Sequence, residues 1–321
     1  MSPSWGMLPN AKDLGVGLFG DGVGIPHRRC ERGSAMTSAV KVDVRAFWDH
    51  GYQIVRGVYS PDEIKQLREN AYASRAVGGD LLSKPLMRDV LLDGTLVGIA
   101  RQILGSDEIL YAGDSSYTIN SNQHGYHKDN ADRKDPSAPD WQGRYTILRF
   151  GIYLQDHATH TGGLNLRDRS HNSVSLRKGR NVYVRSGVGD VVVWSLRTSH
   201  SGNGSLLTFP RWFHPAPHLA ELPRRLRRRN GKYPRWWPEA TADGDRIAVF
   251  AALGLDDAHH RRYTDYLKTR TYMCDIWRRS LFDEEVFTAA RKIGLTVWDM
   301  RREIEADPTV GKNPTWQPIA Y

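Results

Sequence analysis

The hydrophobic and polar positions divide the chain into a helical front, a β-rich middle and a helical end. After Val44 come Phe47-Trp48, Gly51 and the β-rich Tyr52-Gln53-Ile54-Val55, followed by Ser60-Pro61-Asp62-Glu63. Ser60 is suited to cap a helix, Pro61 to open it, and Glu63 stands three residues after the cap, as a capping box requires. This predicts a helix to about Val77, ended by Gly78-Gly79. A second helix is expected from Thr95 to Leu104, because Leu96, Ile99, Ala100 and Ile103 share one face and Gly105 follows. From about Ile109 to Val193 the period changes. Short β-rich runs at Ser116–Ile119, Tyr145–Leu154, Asn181–Val184 and Asp190–Trp194 are separated by Gly, Asp and Asn. Such a series predicts a closed or sandwiched antiparallel sheet. Ile247–Leu255 reads as one more buried strand, and the segments after Asp256 and from Asp283 to Ile293 as helices.

Residues 1–35 are rich in Gly, carry Pro3, Pro9 and Pro26, and show neither apolar period. They read as a flexible leader without chemistry, and residues 36–321 as a single domain with a basic insertion at 205–245. The leader lacks the cationic start and continuous apolar stretch of a secretory signal, and Met36 is a candidate translation start. The longest apolar run, Ile247–Leu255, is far too short to cross a bilayer, which excludes a transmembrane reading. With only Cys30 and Cys274 there is neither a disulfide framework nor a zinc ribbon, and a reducing cytoplasm is the expected compartment. The formal charge of +9 draws attention to partners, and much of it sits in the insertion.

In His127-Lys128-Asp129, an extended backbone places the imidazole and the carboxylate on one face. A third ligand must come from a distant strand. His200 follows Asp190–Trp194 and precedes the turn-forming Gly202-Asn203-Gly204. Two histidines and one carboxylate leave the other positions of a metal open for cosubstrate and O2, the pattern of non-haem iron(II) oxygenases. His-x-Asp alone is weak evidence, and the order of features around it adds the weight.

That order resembles the phytanoyl-CoA dioxygenase family of iron(II)/2-oxoglutarate oxygenases, from about Phe47 to about Gly254. The landmarks are Phe47, Gly51, Tyr52–Val58 and Ser60–Glu63, then His127 and Asp129, Gly162-Gly163-Leu164 with Ser170-His171, and Gly189-Asp190 leading to His200. One departure is Asp168-Arg169, where many relatives carry Pro-Gly before the Ser-His pair, and it puts the substrate pocket's shape in question. The resemblance implies a fold that is mainly β with flanking helices: a double-stranded β-helix, or cupin-like jelly roll. It implies Fe(II), 2-oxoglutarate and O2 as cofactor and cosubstrates, with His127, Asp129 and His200 as metal ligands. Because related halogenases lack the carboxylate ligand, Asp129 favours hydroxylation or another oxidation.

The cosubstrate needs a cation for its distal carboxylate, and the planar fork of Arg suits that group. In the resembling family this Arg follows the distal His and opens the next core strand. Arg211 lies eleven residues after His200 but among Pro210, Pro215 and Pro217. Arg246 directly precedes the Ile247 strand and is the favoured candidate. Arg149, within Tyr145–Leu154, needs either solvent or an anion, and the outer face is its favoured side. His124, His157, His160, His259 and His260 are expected to stay outside the ligand set, the last four at the surface.

The insertion from Pro223 to Pro238 holds seven basic residues and three aromatics in sixteen positions. It reads first as a solvated loop pinned by Trp236 and Trp237, next as a lid for an anionic small molecule. Last comes a nucleic-acid surface. The expected function is oxidation of a small molecule, such as an anionic metabolite of secondary metabolism. The alternatives are a nucleic-acid-binding or -modifying protein and a cupin-like metal protein without 2-oxoglutarate chemistry.

Overall fold

Asp43 caps the first helix, α1 (Val44–His50), by accepting from the Ala46 N–H at 2.9 Å, and Gly51 ends it in the left-handed conformation. Strand β1 (Tyr52–Val55) follows. The next helix, α2 (Pro61–Ala73), opens on the expected capping box, with Ser60 and Glu63 each bonding the other's backbone, and closes through a 3-10 turn at Ser74–Ala76. After α3 (Asp89–Leu92), α4 spans Thr95–Leu104 as expected and stops at Gly105. The computed structural model describes residues 40–121, 125–210, 213–307 and 310. The expected leader lies outside them, and the residues from Val40 onward cluster as one compact unit.

The remaining elements are β2 (Ile109–Tyr111), β3 (Ser115–Ile119), β4 (Ile147–Tyr153), β5 (Asn165–Asp168), β6 (Arg180–Tyr183), β7 (Val191–Ser195) and β8 (His200–Ser201). They continue with α5 (Pro217–Asn230), β9 (Ile247–Gly254), α6 (Ala258–Lys268), α7 (Thr271–Arg278), α8 (Glu284–Lys292), β10 (Leu295–Val297) and α9 (Met300–Ala306). Seven strands form one sheet in the order β1-β7-β4-β9-β2-β10, with β3 also pairing with β9. Its pairs are antiparallel except β2 with β10. A second, antiparallel sheet runs β6-β5-β8.

Residue parity along the central strands explains the layers. Leu148, Phe150 and Ile152 of β4, Val191 and Val193 of β7, and Ile247, Val249, Ala251 and Leu253 of β9 pack with Phe47, Ile64, Leu96 and Ile103 from the N-terminal helices. The alternate positions Tyr153, Val192, Trp194 and Ala248 share a second core with Leu164, Leu166 and Val184 of the small-sheet side. Both faces of the large sheet are therefore covered, one by helices and one by the other sheet. Helices α6, α7 and α9 add a third cluster, in which Tyr263, Met273, Trp277 and Met300 surround Tyr145 and Ile147.

Two expectations are corrected. The architecture is mixed, not mainly β: among the described residues helices hold more of the chain than strands. Part of the difference is α5, inside the segment read as a loop. Its Arg-rich sequence with Pro223 in mid-course obscures the helical period, yet Pro217 suits the first turn and Gly231 the C-terminal stop. Trp237 does pin the segment, packing with Leu207 and Ala220, whereas Trp236 stays exposed. No helix of the described residues is long and apolar enough to cross a membrane.

Candidate metal centre

His127 and His200 face each other across a backbone bridge in which each amide donates to the other's carbonyl at 2.9 Å. The Asp129 N–H donates to Leu196 O at 3.0 Å, which holds the segment extended along the next stretch of chain. Parity then does what the spacing implies. Lys128 turns the opposite way, fully buried, with Nζ donating to Ser170 O at 2.8 Å and Arg197 O at 2.5 Å. His127 and Asp129 are left on one side, and the His127 and His200 rings lie 4.2 Å apart.

One ligand atom from each of His127, Asp129 and His200 can be chosen so that all lie within 4.8 Å of one another. Asp129 Oδ1 is 3.8 Å from His127 Nε2, and Oδ2 is 3.4 Å from His200 Nε2. The backbone also selects the tautomers. Gly125 O lies 3.0 Å from His127 Nδ1, and Thr198 O 3.0 Å from His200 Nδ1. A carbonyl only accepts, so each Nδ1 carries the proton and each Nε2 keeps its lone pair for a metal. Burial, with His127 beside it, pushes His200 down to about 3. Burial alone would raise the Asp129 carboxyl, but His200, Arg149 and His127 outweigh it and hold it well below the usual carboxylate range. The donors are thus in the states that metal binding requires.

Arg149 is a neighbour that the sequence reading placed on the wrong side. Its Nε is 3.5 Å from Asp129 Oδ2, its Nη2 is 2.8 Å from Asp114 Oδ2 and 3.1 Å from the Tyr263 hydroxyl. Tyr263 in turn donates to Asp114. Because β4 is covered on both faces, an Arg between apolar residues there finds anions in the interior, not solvent.

Arg246 enters the interior at the start of β9. Its Nε donates to Gly162 O at 2.5 Å, and its guanidinium lies 5.7 Å from the Tyr153 ring. Among the described residues no carboxylate is paired with it. A row of rings runs from there towards the ligands. The absent side chain of Gly151 would touch both Trp194 and Tyr153, and the Trp194 ring is 5.4 Å from that of His200. The Tyr153 hydroxyl and Trp194 Nε1 are both buried without a hydrogen-bond partner. Arg211 and His124 lie outside the described residues.

The other landmarks are buttresses. Ser170 Oγ accepts from the Ser199 N–H at 2.8 Å, next to His200, while its carbonyl takes the Lys128 bond. His171 is buried against Gly51, and its Nε2 donates to Trp48 O at 2.9 Å. At the Asp168-Arg169 departure, Arg169 adopts the positive φ of 63° that glycine would take without strain. Two surface expectations fail: His157 and His260 are each 1% exposed, packed under turns that look polar in sequence. His160 and His259 are only partly exposed, and none of the four joins the ligand cluster.

No family model matches the chain, and no curated protein matches it. Solved structures do. AviO1 from Streptomyces viridochromogenes Tue57 is 17% identical, over 67% of this chain and 94% of its own, with a TM-score of 0.45. The non-heme alpha-ketoglutarate-dependent epimerase SnoN from nogalamycin biosynthesis is 16% identical, over 65% of this chain and 80% of its own, with a TM-score of 0.44. HygX from Streptomyces hygroscopicus, whose structure carries nickel and 2-oxoglutarate, is 14% identical, over 66% and 85%, with a TM-score of 0.45.

Proposed function

We propose that the chain is a mononuclear iron(II) enzyme that uses 2-oxoglutarate and O2 to oxidise a small molecule in secondary metabolism, of the phytanoyl-CoA dioxygenase type. The observation that carries this is the convergence of two Nε2 lone pairs and one ionised carboxylate, each oriented by its own backbone or Arg149 contact. His127, Asp129 and His200 would occupy one side of the ion and leave the other open. Bound there, iron(II) with 2-oxoglutarate and O2 supplies an oxidant for the substrate, the cosubstrate leaving as succinate and CO2.

The interior fits the cosubstrate as well. Arg246 offers a guanidinium without a carboxylate partner, and the unpartnered Tyr153 hydroxyl and Trp194 N–H are polar groups whose burial is costly unless a ligand satisfies them. These three would hold the distal carboxylate, and the surrounding Val192, Leu166 and Ala248 would exclude water. The strand order supports a double-stranded β-helix. From β3 to β9 the chain passes repeatedly between the large sheet and the small one, with the His127 segment bridging to β8.

The test compares 2-oxoglutarate affinity in Arg246→Met and Arg211→Met. Loss of charge-assisted hydrogen bonds costs about 1.5–3 kcal/mol, a 10- to 150-fold rise in Kd. The rise is expected in Arg246→Met with metal affinity unchanged. A rise confined to Arg211→Met would transfer the role to that residue.

A further inference from the structure

The basic insertion carries helix α5 and leads on to Asp245 and Arg246. It closes a cavity of about 630 Å³ lined by Asn120 after β3, Gln155 and His157 after β4, Arg246 before β9, and Arg224, Arg227 and Arg228 of α5. None of His127, Asp129 and His200 lines it. Gln155 lies just beyond the end of β4 and Arg246 just before the start of β9, whereas Arg149, beside Asp129, is inside β4. The cavity thus opens at the end of the large sheet where β4 stops and β9 starts, and its lining also includes Asn203, three residues after His200.

We infer that this cavity binds a small molecule carrying a phosphate group. Four guanidinium groups line it. Part of this charge has a structural use, since last-turn cations offset the helix dipole and Arg224 bonds Ser205 Oγ at 3.1 Å. Glu239, Asp243 and Asp245 also line the cavity, so its guanidinium groups outnumber its carboxylates by one. Among the described residues neither Arg227 nor Arg246 is paired with a carboxylate; Arg227 stacks on the Tyr233 ring at 4.6 Å and its Nη1 donates to the Tyr233 hydroxyl at 3.4 Å. Arg228 reaches Glu221 at 3.9 Å, in the exposed range where a pair contributes little. Of the three carboxylates in the wall, Asp245 accepts from Tyr72 at 2.6 Å and Asn120 at 2.5 Å, and Glu239 accepts from Thr161 at 2.8 Å through one of its oxygens.

Guanidinium forks held around a concave space match the oxygens of a dianion better than those of a single carboxylate. The volume lies within the range of small-molecule sites and far exceeds a bare phosphate, so it has room for an organic part. Asn120, Ser121, Gln155 and Thr161 make the remaining wall polar, which suits a hydroxyl-bearing molecule such as a phosphorylated sugar. The cavity is half open, and its size, about that of a single small molecule, favours a small ligand over a nucleic-acid strand. The site shares Arg246 with the proposed cosubstrate pocket, and the test is designed to separate the two.

Pyrophosphate is titrated calorimetrically into the full-length protein, without iron or 2-oxoglutarate, for the wild type and for the double variant Arg227→Ala/Arg228→Ala. The two positions are on an exposed turn of α5, and an unchanged melting temperature verifies folding. Saturable binding to the wild type, weakened at least tenfold in the double variant with 2-oxoglutarate affinity unchanged, supports the inference. Absence of saturable binding, or equal affinity in the two proteins, overturns it. A parallel loss of 2-oxoglutarate affinity would assign the cavity to the cosubstrate and overturn the inference. If a single-stranded oligonucleotide binds through the same arginines and pyrophosphate does not displace it, the partner is nucleic acid and the inference is equally overturned. Because the pyrophosphate titration needs no metal, a failure of pyrophosphate binding is distinguishable from a failure of the iron assignment.

Discussion

Replacing Arg149 by Met should reveal how far the metal centre depends on an interior ion network. The guanidinium is 13% exposed, as is Asp114, and Asp129 is 21% exposed. At an effective dielectric of about 20, its gross attraction is about 6 kcal/mol to Asp114 at 2.8 Å and about 5 kcal/mol to Asp129 at 3.5 Å. Much of this is offset by desolvation, so the net effect comes from what the variant leaves behind. Asp114 would be an enclosed carboxylate whose only remaining named partner is the Tyr263 hydroxyl. Removing one partner of such a pair costs about 3–5 kcal/mol. With a slope of about 3 kcal/mol/M, the urea midpoint of the apo protein should fall by at least about 1 M. The second substitution Asp114→Asn in the Arg149→Met background should recover much of the loss, because it removes the uncompensated charge. A midpoint shift below about 0.3 M, or a double variant less stable than Arg149→Met, would show that the network is not a coupled unit and refute the reasoning.

Gly51→Ala should cost about 3 kcal/mol, since a Cβ there meets the His171 ring at 2.3 Å and φ is 81°. Gly57→Ala, at φ 60° with nothing within 4 Å, should lose only the backbone part, about 1 kcal/mol. Equal losses in urea melts of the two would rule out the His171 contact as the cause. Burial pushes His157, His171 and His260 each down to about 4. The unfolded chain therefore binds protons first as the pH falls, and stability is lost from about pH 6.5 towards pH 4. Each group should cost about 2 kcal/mol between pH 7 and pH 5. His260→Gln should flatten the pH dependence of the urea midpoint, and an unchanged slope would mean that His260 is not held neutral.

The sequence was most legible where a local rule has few exceptions. Ser60 and Glu63 formed the capping box, Thr95 and Leu104 bounded α4, and the Lys128 parity placed His127 and Asp129 together. The errors share one cause, which is that sequence parity reports two faces of a strand without saying which is wet. Arg149 was set outside because β4 was treated as half-exposed, whereas helices and a second sheet cover both its sides. His157 and His260 were set at the surface because their neighbours are polar, yet turns of the chain fold over them. Helix α5 was missed because Pro223 in mid-course and the run of arginines argue for a loop, whereas Ala220, Pro223 and Arg224 are buried along one face of it. Tyr153 and Trp194 went unnoticed because nothing in their sequence context marks a hydroxyl or an indole that will be buried without a partner.

The most direct test of the account is an anaerobic titration of the apo protein with Fe(II) and then 2-oxoglutarate, watching for the weak visible charge-transfer band of the chelate. The account predicts that the band appears in the wild type and vanishes in His200→Ala and Asp129→Ala. Iron binding without the band would contradict the 2-oxoglutarate assignment, and an unaltered band in either variant would contradict the assignment of the ligands.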